Sequence, residues 1–374
     1  TERIRGCLRA CDIVGRLGGD EFIVMLENQQ HRADAARKAQ DILTALKREF
    51  LIEQHELYVG ASIGIAMYPD DGKDVESLIK AADLAMYQVK NNGKNHHAFY
   101  NPALSREVVE HFQMENELRQ AMAKQQLRVY YQAQIDLNTG MIVGAEALLR
   151  WQHPTQGLIP PNKFIPLAEE TGLILSIGEW ILTQAANQAK EWQRHYPEFR
   201  KIAVNVSGVQ ILKSQFADTV YGTLIETDCD PSLIALEITE STLMQHTQHV
   251  VNTFDQLKQL GVSIAIDDFG TGYSSLAHLK RLPLDQIKID RSFVKDLPLD
   301  KDDAAITSAI YAMATQLGFA VVAEGVETEA QEQFLQHLGC QTAQGFLYAY
   351  PVSTEAFQQL LALNNQTKIR QHHA

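Results

Sequence analysis

The chain reads as an α/β protein, with a mixed α/β segment followed by a (β/α)₈ barrel. Two observations predict the barrel. From about residue 127, short apolar runs alternate with helix-length amphipathic segments over roughly 240 residues, as strand-then-helix repeats do. Acids then close several of those runs: Glu146, Glu237, Glu240, Asp267, Asp268, Glu324 and Glu327. Carboxylates at the ends of successive parallel strands converge on the C-terminal face of a barrel, where its active site forms. A doubly wound open sheet is the alternative that the same alternation allows.

The elements follow in order. Ile13–Leu17 and Phe22–Leu26 flank Gly18-Gly19, and two glycines between strand-like runs mark a hairpin. Residues from about 33 to 49 read as a helix, Val59–Ala66 as a strand, and about 74–90 as a second helix that Asn91-Asn92-Gly93 stops. Residues from about 102 to 125 hold no interior glycine or proline. Leu104, Val108, Phe112, Leu118 and Met122 give them an imperfect helical stripe. This segment is either a helix joining two domains or the first helix of the second. Strand candidates beyond it are Met141–Ala145, Ile202–Val206, Ile234–Ile238, Ser263–Ile266, Gln286–Ile289, Ala320–Ala323 and Thr342–Gln344. Helix-length segments such as 178–195 and 304–317 separate them.

The bulk numbers set the class. At 374 residues, two domains are the prior expectation. Hydrophobic content of 45% and charged content of 21% suit a globular protein, and no apolar run approaches membrane-spanning length. The chain opens on Thr1 with no signal peptide, so it reads as a fragment whose parent can carry an upstream sensor or membrane segment. Cys7, Cys11, Cys229 and Cys340 show no metal-ligand spacing and fit a reducing, cytoplasmic compartment. A net charge of −13 argues against a nucleic-acid polymer as partner but not against a small nucleotide.

The strand ends carry the chemistry. In chain order they deliver Glu146, Asn205, Glu237 with Glu240, the pair Asp267-Asp268, Lys288, Glu324 with Glu327, and Gln344. Crowded buried acids must protonate or find counter-charge. Oxygen-ligated Mg²⁺ or Mn²⁺ supplies it, and an adjacent acid pair suits two ions bridged by one carboxylate. Such a site activates water for in-line phosphoryl displacement. Lys288 either orients that water or neutralises phosphate charge. Asp268-Phe269-Gly270-Thr271-Gly272-Tyr273-Ser274-Ser275 follows the pair as a glycine-flanked loop able to change shape over a ligand.

These motifs resemble the EAL family of cyclic-di-GMP phosphodiesterases. The resemblance covers about 115–362. It rests on Glu146-Ala147-Leu148-Leu149-Arg150, Asn205-Val206-Ser207, Glu237-Ile238-Thr239-Glu240, Asp267 through Ser275, Lys288-Ile289-Asp290, Glu324-Gly325-Val326-Glu327 and Gln344-Gly345-Phe346. It implies a variant (β/α)₈ barrel whose first strand runs antiparallel to the others. It implies two metal ions held by Glu146, Asn205, Glu237, Asp267 and Asp268, with Glu324 on or near a metal. It gives Lys288 the nucleophilic water and Glu240 the support of the Asp268–Ser275 loop. Gln132, Arg150, Asp290, Glu327 and Gln344 stand among the substrate-site positions. Hydrolysis of cyclic-di-GMP to linear pGpG and a homodimer through this domain follow as expectations, with a non-catalytic cyclic-di-GMP receptor, or part of a bifunctional cyclase/phosphodiesterase, as the alternatives. Two departures from the family pattern are visible: Ala133 follows Tyr131-Gln132 where proline is common, and Tyr350 precedes Pro351 where a basic residue is common.

Residues 1–101 resemble the C-terminal part of a GGDEF diguanylate cyclase domain. Arg16-Leu17-Gly18-Gly19-Asp20-Glu21-Phe22 carries the signature, Asp20 matches a metal-ligand position, and Arg9 with Asp12 matches the product-inhibition site. The resemblance implies that GTP or cyclic-di-GMP binds at Arg9 and Asp12. It also implies that Gly18, Gly19, Asp20 and Glu21 form an incomplete cyclase site, because the family's first strand and its acid fall before Thr1. The whole chain divides as 1–101 for this part, 102–125 for a connecting helix, 115–362 for the EAL domain and 363–374 for a tail.

Overall fold

The computed structural model describes residues 1–371 except 29–30, 53–54, 58, 92–94, 214, 244–247, 273–278 and 280–281. The side chains of 51–55, 91, 103–110, 112 and 366–371 also lie outside the description. The chain forms two compact units, Thr1–Met114 and Glu115–Ala374, and the boundary falls inside the helix Pro102–Ala121. Three members of the stripe read for that helix, Leu104, Val108 and Phe112, are among the side chains not described, while Leu118 is buried.

In the first unit, β1 (Ile13–Gly18) and β2 (Glu21–Met25) form the antiparallel hairpin that the paired glycines predict. Gly19 takes φ +51, a left-handed turn conformation that glycine adopts without steric cost. β3 (Phe50–Ile52) pairs antiparallel with β4 (His55–Leu57). β5 (Ile63–Ile65) runs parallel to β6 (His97–Phe99), so the strand expected over Val59–Ala66 is shorter than its sequence pattern. Gly64 lies against the helix Val75–Asn91, where a Cβ would meet the Ala82 carbonyl oxygen at 1.9 Å. Ala35, Ala39, Ile42 and Leu43 of the helix Arg32–Leu46, with Ala81, Ala85 and Val89 of the next, form this unit's core.

In the second unit the strands are β7 (Leu127–Asp136), β8 (Ile142–His153), β9 (Gly157–Ile159), β10 (Lys201–Val206), β11 (Ile234–Thr239), β12 (Ser263–Phe269), β13 (Gln286–Ile289), β14 (Ala320–Ala323), β15 (Thr342–Gln344) and β16 (Val352–Ser353). β8 and β10 through β15 are parallel in sequence order, and β7 closes the ring between β15 and β8, antiparallel to both. Ring closure makes eight strands and excludes the open doubly wound sheet. β9 and β16 are short additions to β8 and β7.

In the second unit the structure corrects the sequence pattern at β7 and β8. β7 carries no strand candidate in the sequence, because Gln132 and Gln134 interrupt its apolar character. β8 is longer than its predicted Met141–Ala145, so Glu146 sits within a strand rather than at its end. Elsewhere the reason for strand formation is plain. Residues two apart share a strand face. Ile234, Leu236 and Ile238, Ile264 and Ile266, and Ile287 and Ile289 are buried β-branched or leucine positions. Between them stand small and polar residues, including Ala203 and Asn205, Ala235 and Glu237, Ala265 and Asp267, and Lys288.

The helices cover the apolar faces. Ile174–His195 buries Ile174, Ile177, Gly178, Ile181, Leu182, Ala185, Ala186, Ala189 and Trp192, a stripe at helical spacing. Trp192 stacks on Phe357 at 4.6 Å between centroids and meets Tyr131 edge-on at 4.8 Å. This cluster ties β7 to two helices, and such aromatic pairs add about 0.5–1.5 kcal/mol each beyond buried area.

Candidate active site

Lys288 is the centre of the barrel's C-terminal face, with a relative exposure of 0%. Its Nζ lies 2.6 Å from Glu324 Oε1, 2.7 Å from Glu237 Oε2, 3.0 Å from Asp267 Oδ1 and 3.6 Å from Glu146 Oε2. Register explains the convergence. Lys288 pairs with Val322 of β14, whose next inward neighbour is Glu324, while Asn205 pairs with Glu237 across β10 and β11. Glu146 is opposite Gln132 on β7 and Ala203 on β10.

A network of amides orients Glu146. Asn205 Nδ2 donates to its Oε1 and Gln344 Nε2 to its Oε2, each at 2.6 Å. Gln344 Nε2 also reaches Gln132 Oε1 at 3.0 Å, and Gln134 Nε2 donates to Gln344 Oε1 at 3.2 Å. Gln134 was not among the sequence-predicted residues. Its signal was the alternation Gln132-Ala133-Gln134, which puts both amides on one strand face.

Electrostatics divide the acids. Burial works against charge on Glu146, but the Lys288 ammonium and the two amide donors outweigh it and hold Glu146 below the usual carboxylate range. Burial pushes Glu237 well up, opposed by Lys288 and reinforced by Glu146, Asp267 and Glu324. Glu324 is pushed up to about 8, mainly by burial, with Asp267 and Glu146 adding to it. Asp268 is pushed up to about 6 by burial and by the charges of Asp267 and Asp290. Burial also disfavours the Lys288 ammonium, yet the surrounding carboxylates raise it well above a free lysine, so it stays charged.

The residues fit a divalent cation. Glu146, Glu237 and Asp267 bring one oxygen each within 4.8 Å of one another, and so do Asp267, Asp268 and Glu324. Asp267 belongs to both groups. Glu237 Oε1 is buried without a hydrogen-bond partner among the described residues, as an oxygen kept for a ligand would be. Carboxylate oxygens with one amide oxygen are a hard donor set suited to Mg²⁺ or Mn²⁺.

Glu240 holds the loop after Asp268. Its Oε2 accepts from Gly270 N at 3.0 Å and Gly272 N at 3.3 Å. A side chain at either glycine would displace a neighbour. A Cβ on Gly270, at φ +102, would meet Phe293 at 2.7 Å, and one on Gly272 would meet Glu240 itself at 2.8 Å. Asp268 takes φ +54, a strained conformation for a non-glycine residue. Residues 273–275 of the predicted loop lie outside the described residues.

The remaining predicted residues spread further out. Arg150 is half-buried, with its guanidinium 5.7 Å above the Tyr130 ring. Asp290 caps the helix Arg291–Val294 through Ser292 N and raises Asp268. Glu327 is exposed, and its backbone N–H donates to Gln331 Oε1 at 2.7 Å beside the capping box that Thr328 and Gln331 form. His153 is buried and structural: its Nδ1 accepts from Gln156 N, and its Nε2 meets Glu117 Oε2 at 3.2 Å. In the first unit Asp12 accepts from the backbone N–H of Arg9 at 2.8 Å, and no ion pair joins their side chains. Gly18, Gly19, Asp20 and Glu21 form an exposed hairpin tip, with Arg16 Nε donating to Gly19 O at 2.9 Å.

Comparison with known proteins agrees with this arrangement. The EAL domain model matches residues 115–351, and the model described as diguanylate cyclase, GGDEF domain, matches 1–96. The bifunctional diguanylate cyclase/cyclic di-GMP phosphodiesterase MucR of Pseudomonas aeruginosa is 46% identical over 362 residues, covering 97% of this chain and 52% of that protein. The cyclic di-GMP phosphodiesterase PdeR of Escherichia coli is 38% identical over 355 residues, covering 95% and 53%. The chain thus spans about half the length of these relatives. Among solved structures, the PaMucR phosphodiesterase in complex with c-di-GMP superposes with a TM-score of 0.63 at 48% identity, covering 66% of this chain and 99% of that one. A closed eight-stranded barrel with one antiparallel strand, a buried lysine ringed by acids and this extent of similarity together show that the chain belongs to the EAL-domain family, with a GGDEF-domain match ahead of the barrel.

Proposed function

We propose that the second unit is a metal-dependent phosphodiesterase that hydrolyses one phosphodiester of cyclic-di-GMP and releases linear pGpG. One observation carries this reading: Glu146, Glu237, Asp267 and Glu324 all lie within 4.0 Å of the buried Lys288 ammonium. Asp268 adds a fifth carboxylate beside Asp267 and Glu324. Once bound cations displace the protons that burial favours on Glu237 and Glu324, five carboxylates and one ammonium would leave four negative charges, which two divalent cations would cancel. The names of the similar proteins supply the substrate.

Glu146, Asn205, Glu237, Asp267, Asp268 and Glu324 would hold Mg²⁺ or Mn²⁺. When bound, such ions stabilise negative charge on phosphate and make water a better nucleophile at neutral pH. The protein's own groups do the rest. Gln344 and Asn205 fix the Glu146 carboxylate, so its oxygens need no reorganisation on binding. Lys288 is fully charged and donates hydrogen bonds at the centre of the acids, where it holds the attacking water. Water oxygen bonds to phosphorus while the P–O3′ bond breaks; of the water's two protons, one ends on the departing 3′ oxygen and the other stays on the new 5′-phosphate or passes to solvent. Glu240 keeps the Gly270–Gly272 backbone in place beside Asp268. Gln132, Arg150, Asp290, Glu327 and Gln344 bind or surround the dinucleotide. Pairing of two barrels in a homodimer and a cytoplasmic location belong to the same reading.

The alternative is a cyclic-di-GMP receptor that does not cut. The enzyme reading is favoured over it because Glu146, Glu237, Asp267, Asp268, Glu324 and Lys288 are all present. Turnover separates the two. Chain in excess over cyclic-di-GMP, with Mn²⁺, converts the whole pool to pGpG under the enzyme reading. Recovery of intact, bound cyclic-di-GMP would establish the receptor instead.

A further inference from the structure

We infer that Phe346 and Tyr350 form a base-stacking platform at the mouth of the barrel and that Tyr350 sets substrate affinity; this deepens the phosphodiesterase reading and rests on it. The two rings are stacked on each other, with centroids 4.4 Å apart and 26° between planes. Both are on the surface, Phe346 at 46% and Tyr350 at 65% relative exposure. A large aromatic side chain left in water loses the stabilisation that burial would give. Two held face to face on a rigid support present a preformed π-surface, which is how proteins receive nucleobases without reading their edges.

Position ties this surface to the site. Phe346 follows Gln344 by two residues, and Gln344 donates to Glu146 in the acid cluster. Tyr350 follows Ala349, whose carbonyl oxygen accepts from Gln132 Nε2 at 3.2 Å. Both ends of the aromatic segment are therefore anchored to the amides that orient Glu146.

The segment between them is rigid. Val326 N donates to Gln344 O at 3.1 Å, and Leu347 N donates to Val326 O at 3.0 Å. Gly345 packs directly on that backbone, where a Cβ would meet Val326 O at 2.0 Å. Tyr348 N and Ala349 N then donate back to Gly345 O at 3.2 and 3.3 Å. One helical turn results, and it places residues 346 and 350, four apart, on the same side. A planar purine is the ligand that fits a flat aromatic face next to a phosphate-directed acid cluster, and cyclic-di-GMP carries two guanines.

The departure noted in the sequence acquires a meaning. Where a basic residue is common before the late proline, this chain has Tyr350 before Pro351. Stacking takes the place of a point charge, so the contribution of residue 350 to affinity is insensitive to salt.

The test compares the whole chain with Tyr350→Ala, Tyr350→Phe and Tyr350→Lys. Base stacking on an aromatic side chain contributes about 1–3 kcal/mol, a factor of roughly 10 to 100 in affinity. Tyr350→Ala should raise KM for cyclic-di-GMP by about tenfold or more. Its kcat should fall far less than its kcat/KM. Tyr350→Phe should restore KM to within about twofold, because the ring and not the hydroxyl acts. Tyr350→Lys should recover affinity only at low salt. A cyclic dinucleotide carrying 2-aminopurine supplies the direct readout: its fluorescence is quenched by the wild type and the Phe variant, and not by the Ala variant. Unchanged KM and quenching in Tyr350→Ala, with hydrolysis intact, would overturn the platform alone. Failure of the wild type to bind cyclic-di-GMP at all would overturn the phosphodiesterase reading and the platform with it.

Discussion

Lys288 is the residue on which the site depends. With Nζ at hydrogen-bond distance from three carboxylates and fully buried, it is the only described cation inside the cluster. If it holds the attacking water, Lys288→Ala should lower kcat by about 10²-fold or more, while Kd for cyclic-di-GMP, measured with Ca²⁺ in place of Mg²⁺, changes little. A variant with near-normal kcat would contradict that role. The acids give a second prediction. Glu324 and Asp268 carry raised values, about 8 and about 6. Both therefore hold protons more tightly in the folded chain than in the unfolded one. Without metal, stability is largest below the unfolded carboxylate values near 4 and is lost as pH rises through 6 and then 8. Thermal unfolding in chelator should show Tm falling from about pH 5 to about pH 8.5, and Mn²⁺ should raise Tm more at the higher pH, where no proton competes. A metal-free Tm that climbs over this range would contradict the assignment. The acids, Asn205 and Lys288 were legible in the sequence because strand ends converge in a barrel. The atoms that meet were not. Register, which only the fold supplies, decides that Gln344 and Asn205 grip opposite oxygens of Glu146.

At the scale of elements, the Glu240-held turn after β12 is the most constrained feature. Two backbone N–H groups share one carboxylate oxygen, and Gly270 occupies a left-handed conformation against Phe293. Gly270→Ala adds a Cβ where there is no room, at a φ that costs alanine about 1–3 kcal/mol. It should lower Tm and turnover together. Glu240→Ala removes the acceptor and should cut kcat about tenfold or more, with Glu240→Gln restoring part of it through its remaining carbonyl. Equal kcat in the wild type and Glu240→Ala would show that the turn does not serve the chemistry. Strand β7 shows where sequence patterning stops. Its Leu127-Arg128-Val129-Tyr130-Tyr131-Gln132-Ala133-Gln134 mixes apolar and polar residues because one face lines the site, so the strand that closes the ring has no apolar run to announce it. β8 was shortened in the sequence reading for the same reason, with Glu146 and Arg150 standing inside a strand of 12 residues.

At the scale of the whole molecule, the two units differ in what they have assembled. The barrel holds two overlapping groups of acids able to bind a metal, and among the described residues the first unit holds none. Asp20 and Glu21 stand on an exposed hairpin whose Leu17, Phe22 and Met25 face water. Phosphoryl transfer to make cyclic-di-GMP needs a positioned nucleotide and its metal ions. The purified chain should therefore form no detectable cyclic-di-GMP from GTP with Mg²⁺, and formation of it would refute this expectation. The barrel's claim is tested most directly by chromatography of cyclic-di-GMP incubated with the purified chain, in Mn²⁺ and in excess chelator. The account predicts a pGpG peak in Mn²⁺, none in chelator, and its return when Mn²⁺ or Mg²⁺ is restored. Intact cyclic-di-GMP in Mn²⁺, or undiminished hydrolysis in chelator, would contradict it.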